Sequence, residues 1–570
     1  MNHLHFHTPG TYEGKAFAVR GVLHLAVTLS ENRIEKIEVT KHDEIFGQAY
    51  GLETTAFEAF IPKIIAYQSL SVPLIVGAEA VCRAIIKAVS RAITASGADP
   101  TPLFSVPVPA APKKPDTTIE TDVVIFGSGM AGMAAAVEAK LCGADVVLVE
   151  KQDIIGGSSC ISGGKLMAAG TKTQKALGIE DTPARMFDFL KASAGYFLDD
   201  AKIRSFTEAA NKNLEWLVSQ GYEIQDVEPA HPSVLPWRVH NSMGCHGQTM
   251  GWGGGFIIPL YHRFMELGGK LYLHTALKEL NLTSGRVTGA LAEDIHDGSK
   301  LQIKAKAVIL ATGGYAANRA LVEARYPWMK GYYYNCPDAN QGDGARAAQK
   351  VGALNYHHPS LQTMLLNVRT GMGVNEESGL LLTPEGKRFT NEYQFHSIVG
   401  EALAETGFHK AWYITCGEEK AARTPHSPLA MSLLLPETCK AENLTALAEQ
   451  MEVSPEVLTA SITRYNKLCA QKFDEDFGKP ASELLALNGP VYYAVPLQTA
   501  TSITFGGLYI DANARVMDKD RNVIPGLFAA GEVANTGNFG RAVPSCGYSL
   551  GHALHFGRMA ARTAAGHAAI

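Results

Sequence analysis

The apolar pattern of the chain changes period several times. Residues 15–27 and 34–39 alternate apolar with polar positions, the two-residue period of half-buried strands, whereas residues 78–93 repeat apolar side chains at helical spacing. Together they predict a compact α+β unit. Ser96-Gly97-Ala98-Asp99-Pro100 then opens a stretch rich in Pro and Ala, through Pro107, Pro109, Pro112 and Pro115, with Lys113-Lys114 near its end. It reads as a semi-rigid linker. After Asp122 comes a continuous apolar run, Val123-Val124-Ile125-Phe126, as expected of a parallel strand buried on both faces. The glycine-rich turn Gly127-Ser128-Gly129-Met130-Ala131-Gly132, a helical run over 133–142 and a second apolar strand over 145–149 ending in Glu150 complete a βαβ unit.

Composition narrows the partners. A chain of 570 residues exceeds one hydrophobic core, so two to four domains are expected. It is 46% apolar and 19% charged, inside the globular range. The formal charge of -5 and the lack of a Lys/Arg stripe interleaved with aromatics exclude a nucleic-acid footprint. Nine scattered cysteines include no C-x-x-C, so no zinc ribbon, cysteine-ligated iron–sulfur motif or c-type haem is signalled, and they read as reduced thiols. No window approaches the roughly 18 apolar residues of a membrane helix, and the first residues lack a basic flank before an apolar stretch. A soluble, cytoplasmic protein with no membrane span is expected. His3, His5 and His7 alternate near the start but are assigned no role, and no metal site is expected.

The glycine turn follows a strand, opens a helix and is completed by an acidic residue roughly twenty positions on, the context that a dinucleotide fingerprint requires. Gly127 permits the tight turn, Gly129 lets backbone N–H groups approach a pyrophosphate, Gly132 allows helix and sheet to pack closely, and Glu150 can accept from ribose hydroxyls. A second glycine-serine loop, Gly156-Gly157-Ser158-Ser159-Cys160-Ile161-Ser162-Gly163-Gly164, favours FAD over NAD, because it can bring further N–H and hydroxyl donors to a flavin and its phosphates.

These blocks, with Val308-Ile309-Leu310-Ala311-Thr312-Gly313-Gly314, Gln341-Gly342-Asp343-Gly344, Phe505-Gly506-Gly507 and Gly526-Leu527-Phe528-Ala529-Ala530-Gly531-Glu532-Val533, resemble the fumarate reductase/succinate dehydrogenase flavoprotein family over residues 118–570. The resemblance implies an α/β protein: a Rossmann-like FAD-binding domain (118–357 and 503–570) with an inserted α+β cap (358–502), preceded by a small α+β domain (1–97) and a linker (98–117). It implies non-covalent FAD held by Gly127, Gly129, Ala131, Gly132, Glu150, Lys151, Gly157, Ser158, Ser159, Gly163, Gly164, Leu277, Ala311, Thr312, Gly313, Asp343, Gly507, Glu532, Ser549 and Leu550. Asp343 could equally cap the helix that follows it. The helix from Tyr548 would direct its positive end at the pyrimidine edge of the flavin, stabilising the reduced anion. Substrate would lie between cap and flavin.

The chain departs from that family where substrate would bind. The fumarate reductases carry R-F-x-N-E-x-x-x-R, whose last arginine donates the proton; here the run is Arg388-Phe389-Thr390-Asn391-Glu392-Tyr393-Gln394-Phe395-His396. His396 is the candidate donor in its place. The histidine pair expected before T-M-G-G is replaced by Ser502-Ile503-Thr504-Phe505-Gly506-Gly507, while Arg541 could match the family's carboxylate-binding arginine at an altered spacing or simply order its own loop. Losing these cations argues against a dianion. Tyr332, Tyr333, Tyr334, Tyr393 and Tyr548 could donate to a ketone or enolate oxygen or simply form wall and core; Tyr548 is the candidate catalyst among them. Pro544-Ser545-Cys546-Gly547 lacks the tyrosine of the related ketosteroid dehydrogenases. The expectation is an ene-reductase that acts on a small unsaturated acid or enone, with hydride from flavin N5, a proton from the cap, and electrons from an external donor such as a flavin reductase, free reduced flavin or quinol. A dehydrogenase working in reverse and a non-catalytic flavin carrier are the alternatives.

Gly10-Thr11-Tyr12-Glu13-Gly14, residues 34–39 and Val76-Gly77-Ala78-Glu79-Ala80-Val81 resemble the FMN-binding domains appended to such enzymes. In those domains a threonine of S-G-A-T-x-T is flavinylated. Val81 stands there and has no hydroxyl to form the phosphoester. The domain either binds FMN without a covalent bond or, the favoured reading, serves as a structural or docking module.

Overall fold

The apolar run at residues 123–126 ends the strand Thr117–Phe126, which lies inside an eight-stranded sheet. The computed structural model describes residues 8–18, 21–42, 44, 55–194, 197–230, 234–242, 253–373, 379–417 and 428–570. Lys270–Tyr272, Val146–Val149, Thr117–Phe126, Lys300–Leu310 and Val523–Ala529 run parallel, with Phe126 opposite both Val149 and Leu310, and Leu310 opposite Ala529. Thr275–Thr283 and Arg286–Asp294 extend the sheet antiparallel.

The helix Met130–Leu141 is buried from Met130 to Ala139 because strands lie on one side and the helices Tyr548–Ala564 and Gly254–Glu266 on the other. Its small residues allow close approach: a Cβ on Gly557 of the last helix would come within 2.3 Å of the Ala131 carbonyl oxygen. Buried Glu138 is matched by Arg558 and Arg562, each at 2.9 Å, and Arg558 also donates to Asn213. The charge is therefore paired before it is buried.

The N-terminal unit is an antiparallel sheet of Gly10–Phe17, Val22–Leu29 and Ile34–Lys41 covered by the helices Ala56–Tyr67 and Glu79–Ala95. The alternation over 15–27 spans two strands, because Ala18 N–H donates to Gly21 O across their connection. The unit also extends beyond residue 97. Leu103 belongs to its core, Leu70 N–H donates to Leu103 O, and Ser69 Oγ donates to Val106 O. The turn residues at 96–100 lead into a packed 3-10 helix, Thr101–Ser105, so the extended connection is residues 107–116.

The cap is built on a six-stranded sheet in which Tyr492–Thr501 pairs with Lys410–Cys416, Met364–Leu366, Cys439–Ala441 and Tyr333–Tyr334. It therefore recruits chain before residue 358, correcting that boundary. Between these strands the chain returns to the FAD-binding domain through the helix Asp343–Lys350 and the strand Asn355–Tyr356, which pairs with Gly507–Leu508. Arg388 forms bidentate pairs with Glu392 and Asp474, and Lys479 Nζ lies 3.4 Å from Glu392. The run that begins at Arg388 is thus tied into the cap, and His396 at its end begins the next helix.

No helix among the described residues is long and apolar enough to cross a membrane. The eight described cysteines are free; Cys245 and His3, His5 and His7 lie outside the described residues.

Candidate functional site

A cleft of about 810 Å³, part of it open to solvent, lies at the C-terminal ends of the parallel strands. Phe126, Val149 and Ala311 end three of its walls, and Gly531, Glu532 and Ala553 approach from the last part of the chain. This is where open α/β sheets bind nucleotides.

The turn after Phe126 is held open by its own chemistry. Gly127 has φ +103° and could not carry a Cβ, which would lie 2.2 Å from Ala311 O. Glu150 accepts from Ser128 N–H at 2.8 Å and from Ser128 Oγ at 2.6 Å through one oxygen, and from Gln152 N–H at 2.9 Å through the other. The acid at the strand end therefore orders the glycine turn. Gly129, the residue before the helix Met130–Leu141, supplies no side-chain cap, which leaves the positive helix end facing the cleft apart from Met130 N–H, which donates to Ser159 Oγ.

Opposite, Asn340 Nδ2 donates to Ser158 Oγ at 3.0 Å, and Lys151 pairs with Asp343, which also pairs with Arg346. Glu532 Oε1 accepts from Thr504 N–H at 2.8 Å and Thr504 Oγ1 at 2.9 Å; burial nevertheless pushes its carboxyl up to about 7. Thr312 Oγ1 lines the cleft, is buried, and has no partner among the described residues. An uncapped helix end, an unpaired hydroxyl and an acidic strand end fit a pyrophosphate-bridged dinucleotide such as FAD. Glu150 and the turn around Gly127 and Gly129 would hold its ribose and phosphates.

Most of the expected cofactor residues meet here. Gly127, Gly129, Ala131, Glu150, Lys151, Gly157, Ser158, Ser159, Leu277, Ala311, Thr312, Gly313, Asp343 and Glu532 all line the cleft. Gly132 and Gly507 do not: a Cβ would lie 1.8 Å from Gly127 O or 2.3 Å from Val533 O, so their task is close packing. Gly163 and Gly164 lie outside the lining, Gly164 O accepting from Ser242 N–H. Ser549 and Leu550 are also outside it, and Ala553, one turn further along the same helix, takes the contact. Ser128, Met130, Gln152, Thr275, Ala339 and Asn340 also line the cleft, without a motif role of their own that marks them in sequence. Adjacency to the glycine turn and to Gln341-Gly342-Asp343 is the only local signal for Ser128, Met130 and Asn340.

The catalytic candidates are dispersed. His396 is half-buried at the start of the cap helix His396–Glu405, close to Gly373, where an added Cβ would lie 3.0 Å from His396 Cε1. Arg541 is exposed and ion-paired with Glu401 of that helix. Tyr548 is not at the cleft: its ring is buried against Phe206 and Phe539 and its hydroxyl donates to Asn538 O. Burial holds the phenol far above its ordinary range. The candidate catalytic tyrosine is thus a packing residue here.

Two buried polar groups lie at the junction of cap and FAD-binding domain: His358, which no motif marks, and Tyr332, one of the candidate donors. His358 packs on Phe505 and its Nδ1 is engaged by the Ser360 backbone, while Nε2 is buried without a partner among the described residues. Burial lowers its pKa. Tyr332 Oη is likewise unpartnered, its pKa pushed up to about 12 by burial and then by Glu401.

The family model described as an FAD binding domain matches residues 122–550. A fumarate reductase (cytochrome) of Shewanella frigidimarina is 32% identical over 451 residues, covering 78% of this chain and 77% of that protein. A urocanate reductase of Eggerthella lenta is 29% identical over 571 residues, covering 98% and 91%. The structure of a 3-ketosteroid-delta4-(5alpha)-dehydrogenase from Rhodococcus jostii aligns with TM-score 0.66 at 28% identity, covering 80% of this chain and 100% of that one.

Proposed function

The chain belongs to the FAD-binding-domain family as an FAD-dependent oxidoreductase of the fumarate reductase type, and on that premise we propose that it reduces an activated carbon–carbon double bond in an unsaturated monoacid or enone. The observation that supports this reading is the charge at the junction of cap and FAD-binding domain. Arg541 is already neutralised by Glu401, and burial disfavours a charge on His358. Exchange of Glu401 for a substrate carboxylate would satisfy one negative charge, whereas a second would be desolvated without a cation.

Bound FAD supplies the hydride that such a reduction requires. The chain's own residues do the rest. His396 delivers the proton from the cap, Arg541 receives a substrate carboxylate, and His358 Nε2, which has no partner among the described residues, offers a further polar contact for a substrate oxygen. The ion pair between Glu401 and Arg541 links the His396 helix to the FAD-binding domain, which is the arrangement that brings a cap acid toward the cleft on closure.

The N-terminal unit carries no covalent FMN in this reading: Val81 is fully buried in its core, besides lacking a hydroxyl. Electrons then come from outside, from a flavin reductase, free reduced flavin or quinol. The resemblance to a ketosteroid dehydrogenase gives the reverse reaction as the competing outcome.

The test is anaerobic. Photoreduced protein is mixed with fumarate, urocanate, cinnamate-like acids and enones, and flavin reoxidation is followed spectrally. Rapid reoxidation by a monoacid or enone and slow reoxidation by fumarate is expected, with His396→Ala slowing it about 10²–10⁴-fold at unchanged FAD content. Silence across the panel, with bleaching of the oxidised protein by a saturated ketone, would make it a dehydrogenase.

A further inference from the structure

Asp153, His274 and His296 meet at the seam between the N-terminal unit and the FAD-binding domain, from parts of the chain far apart in sequence. Asp153 Oδ1 lies 3.1 Å from His274 Nδ1 and 2.5 Å from His296 Nε2, and the three ligand-capable atoms all lie within 4.8 Å of one another. Two ring nitrogens thus converge on one carboxylate oxygen.

The other carboxylate oxygen is fixed from the N-terminal unit. Val76 N–H donates to Asp153 Oδ2 at 2.8 Å, and Asp153 N–H donates back to Val76 O at 3.0 Å. Beside them Ile154 is part of the N-terminal core, and a Cβ on Gly77 would meet it at 2.6 Å. The histidines are held by their own backbones: His274, at φ +43°, donates to Gln152 O and accepts from Ile295 N–H, and His296 N–H donates to Asp294 Oδ1. The surroundings are acidic, with Asp294 and Asp297 facing Lys114 at 3.3 Å each.

We propose that Asp153, His274 and His296 form a binding site for a zinc-class divalent cation, which clamps the N-terminal unit to the FAD-binding domain. Two imidazoles and a carboxylate are favoured zinc donors at about 2.0–2.2 Å, and water completes the tetrahedron. The bond from Val76 to the second carboxylate oxygen is the outer contact that orients a metal-ligating carboxylate. Because Gln152 both lines the FAD cleft and would lie 3.0 Å from a Cβ on Gly77, the clamp stands one residue from the cofactor site.

The experiment uses the full chain with His3, His5 and His7 changed to Gln, so that the terminal histidines hold no metal. Protein stripped with a chelator is dialysed against zinc and its metal measured by mass spectrometry. In parallel, tryptic cleavage after Lys113, in the exposed connection between the two domains, is timed with and without zinc. One zinc per chain and slower cleavage with zinc are expected, both lost in His274→Asn/His296→Gln protein of unchanged FAD content. Asn suits the left-handed backbone at 274. Zinc retained by the double variant, or no zinc in the parent, overturns the site; zinc bound with unchanged cleavage overturns the clamp.

Discussion

Arg541 of the FAD-binding domain is ion-paired with Glu401 on the cap helix that begins at His396. The arginine side chain is 72% exposed, so the pair adds little to stability, of order 0–1 kcal/mol. Its value lies in what it displaces. If substrate carboxylate replaces Glu401, Arg541→Ala raises KM for an unsaturated acid about tenfold or more, and leaves a neutral enone unaffected. Glu401→Gln, which frees the guanidinium, lowers the same KM. Equal losses for acid and enone would reduce Arg541 to a residue that orders its loop.

Gly129 and Gly132 separate binding from folding. A Cβ on Gly129, whose φ of -69° suits any residue, meets only Ser159 Oγ at 3.3 Å and Gly156 O at 3.7 Å, so Gly129→Ala folds but intrudes where the phosphates would approach. A Cβ on Gly132 lands 1.8 Å from Gly127 O and forces the helix off the sheet. Gly129→Ala is expected to weaken FAD binding about 10–100-fold at near-parental urea stability, whereas Gly132→Ala costs about 2–4 kcal/mol. Titration of apoprotein with FAD and urea unfolding check the two.

The cofactor half of this site was legible because each residue of the glycine turn has a local backbone task, and Glu150 reaches back to the turn it follows. Contacts made only by folding were not. Lys151 meets Asp343 across 192 positions, and Tyr333–Tyr334 joins the cap sheet only through its pairing with Ala500 and Thr501. The family's histidine pair would precede Phe505 in sequence. The structure brings His358 there from another segment, across the bridge between Leu361 and Thr504. Tyr548 was misread for the opposite reason: its neighbours suggest a site, but the aromatic residues that bury it come from Phe206 and Phe539.

Glu532 gives the apoprotein a stability that declines with rising pH. Its carboxyl is raised from 4.5 to about 7 by burial, so between those values the folded state holds a proton that the unfolded chain has released. The contribution is full below pH 4.5 and is lost as pH rises through about 7, a change of about 3 kcal/mol at most. Glu532→Gln keeps an acceptor oxygen for Thr504 but has no proton to lose, so its urea midpoint should be flatter over that window. An unchanged slope would show that Glu532 is ionised in the folded apoprotein.

His555 works with the opposite sign. Its Nε2 lies 2.9 Å from Ser205 Oγ and its Nδ1 3.1 Å from Asn213 Nδ2, joining the last helix to Asp200–Ser219. Burial, reinforced by the Arg558 charge, lowers its pKa from 6.5 to about 3. Below pH 6.5 the unfolded chain takes up the proton that the folded protein refuses, so stability present at neutral pH is lost as pH falls toward about 3. The loss reaches up to about 5 kcal/mol. His555→Gln should reduce neutral stability by about 1–2 kcal/mol through its weakened contacts, yet unfold over a shallower acid limb. Acid titration of urea midpoints reads both effects, and an acid limb as steep as the parent's would place the responsible groups elsewhere, beginning with His552 one turn earlier, whose pKa burial drives well below its ordinary value.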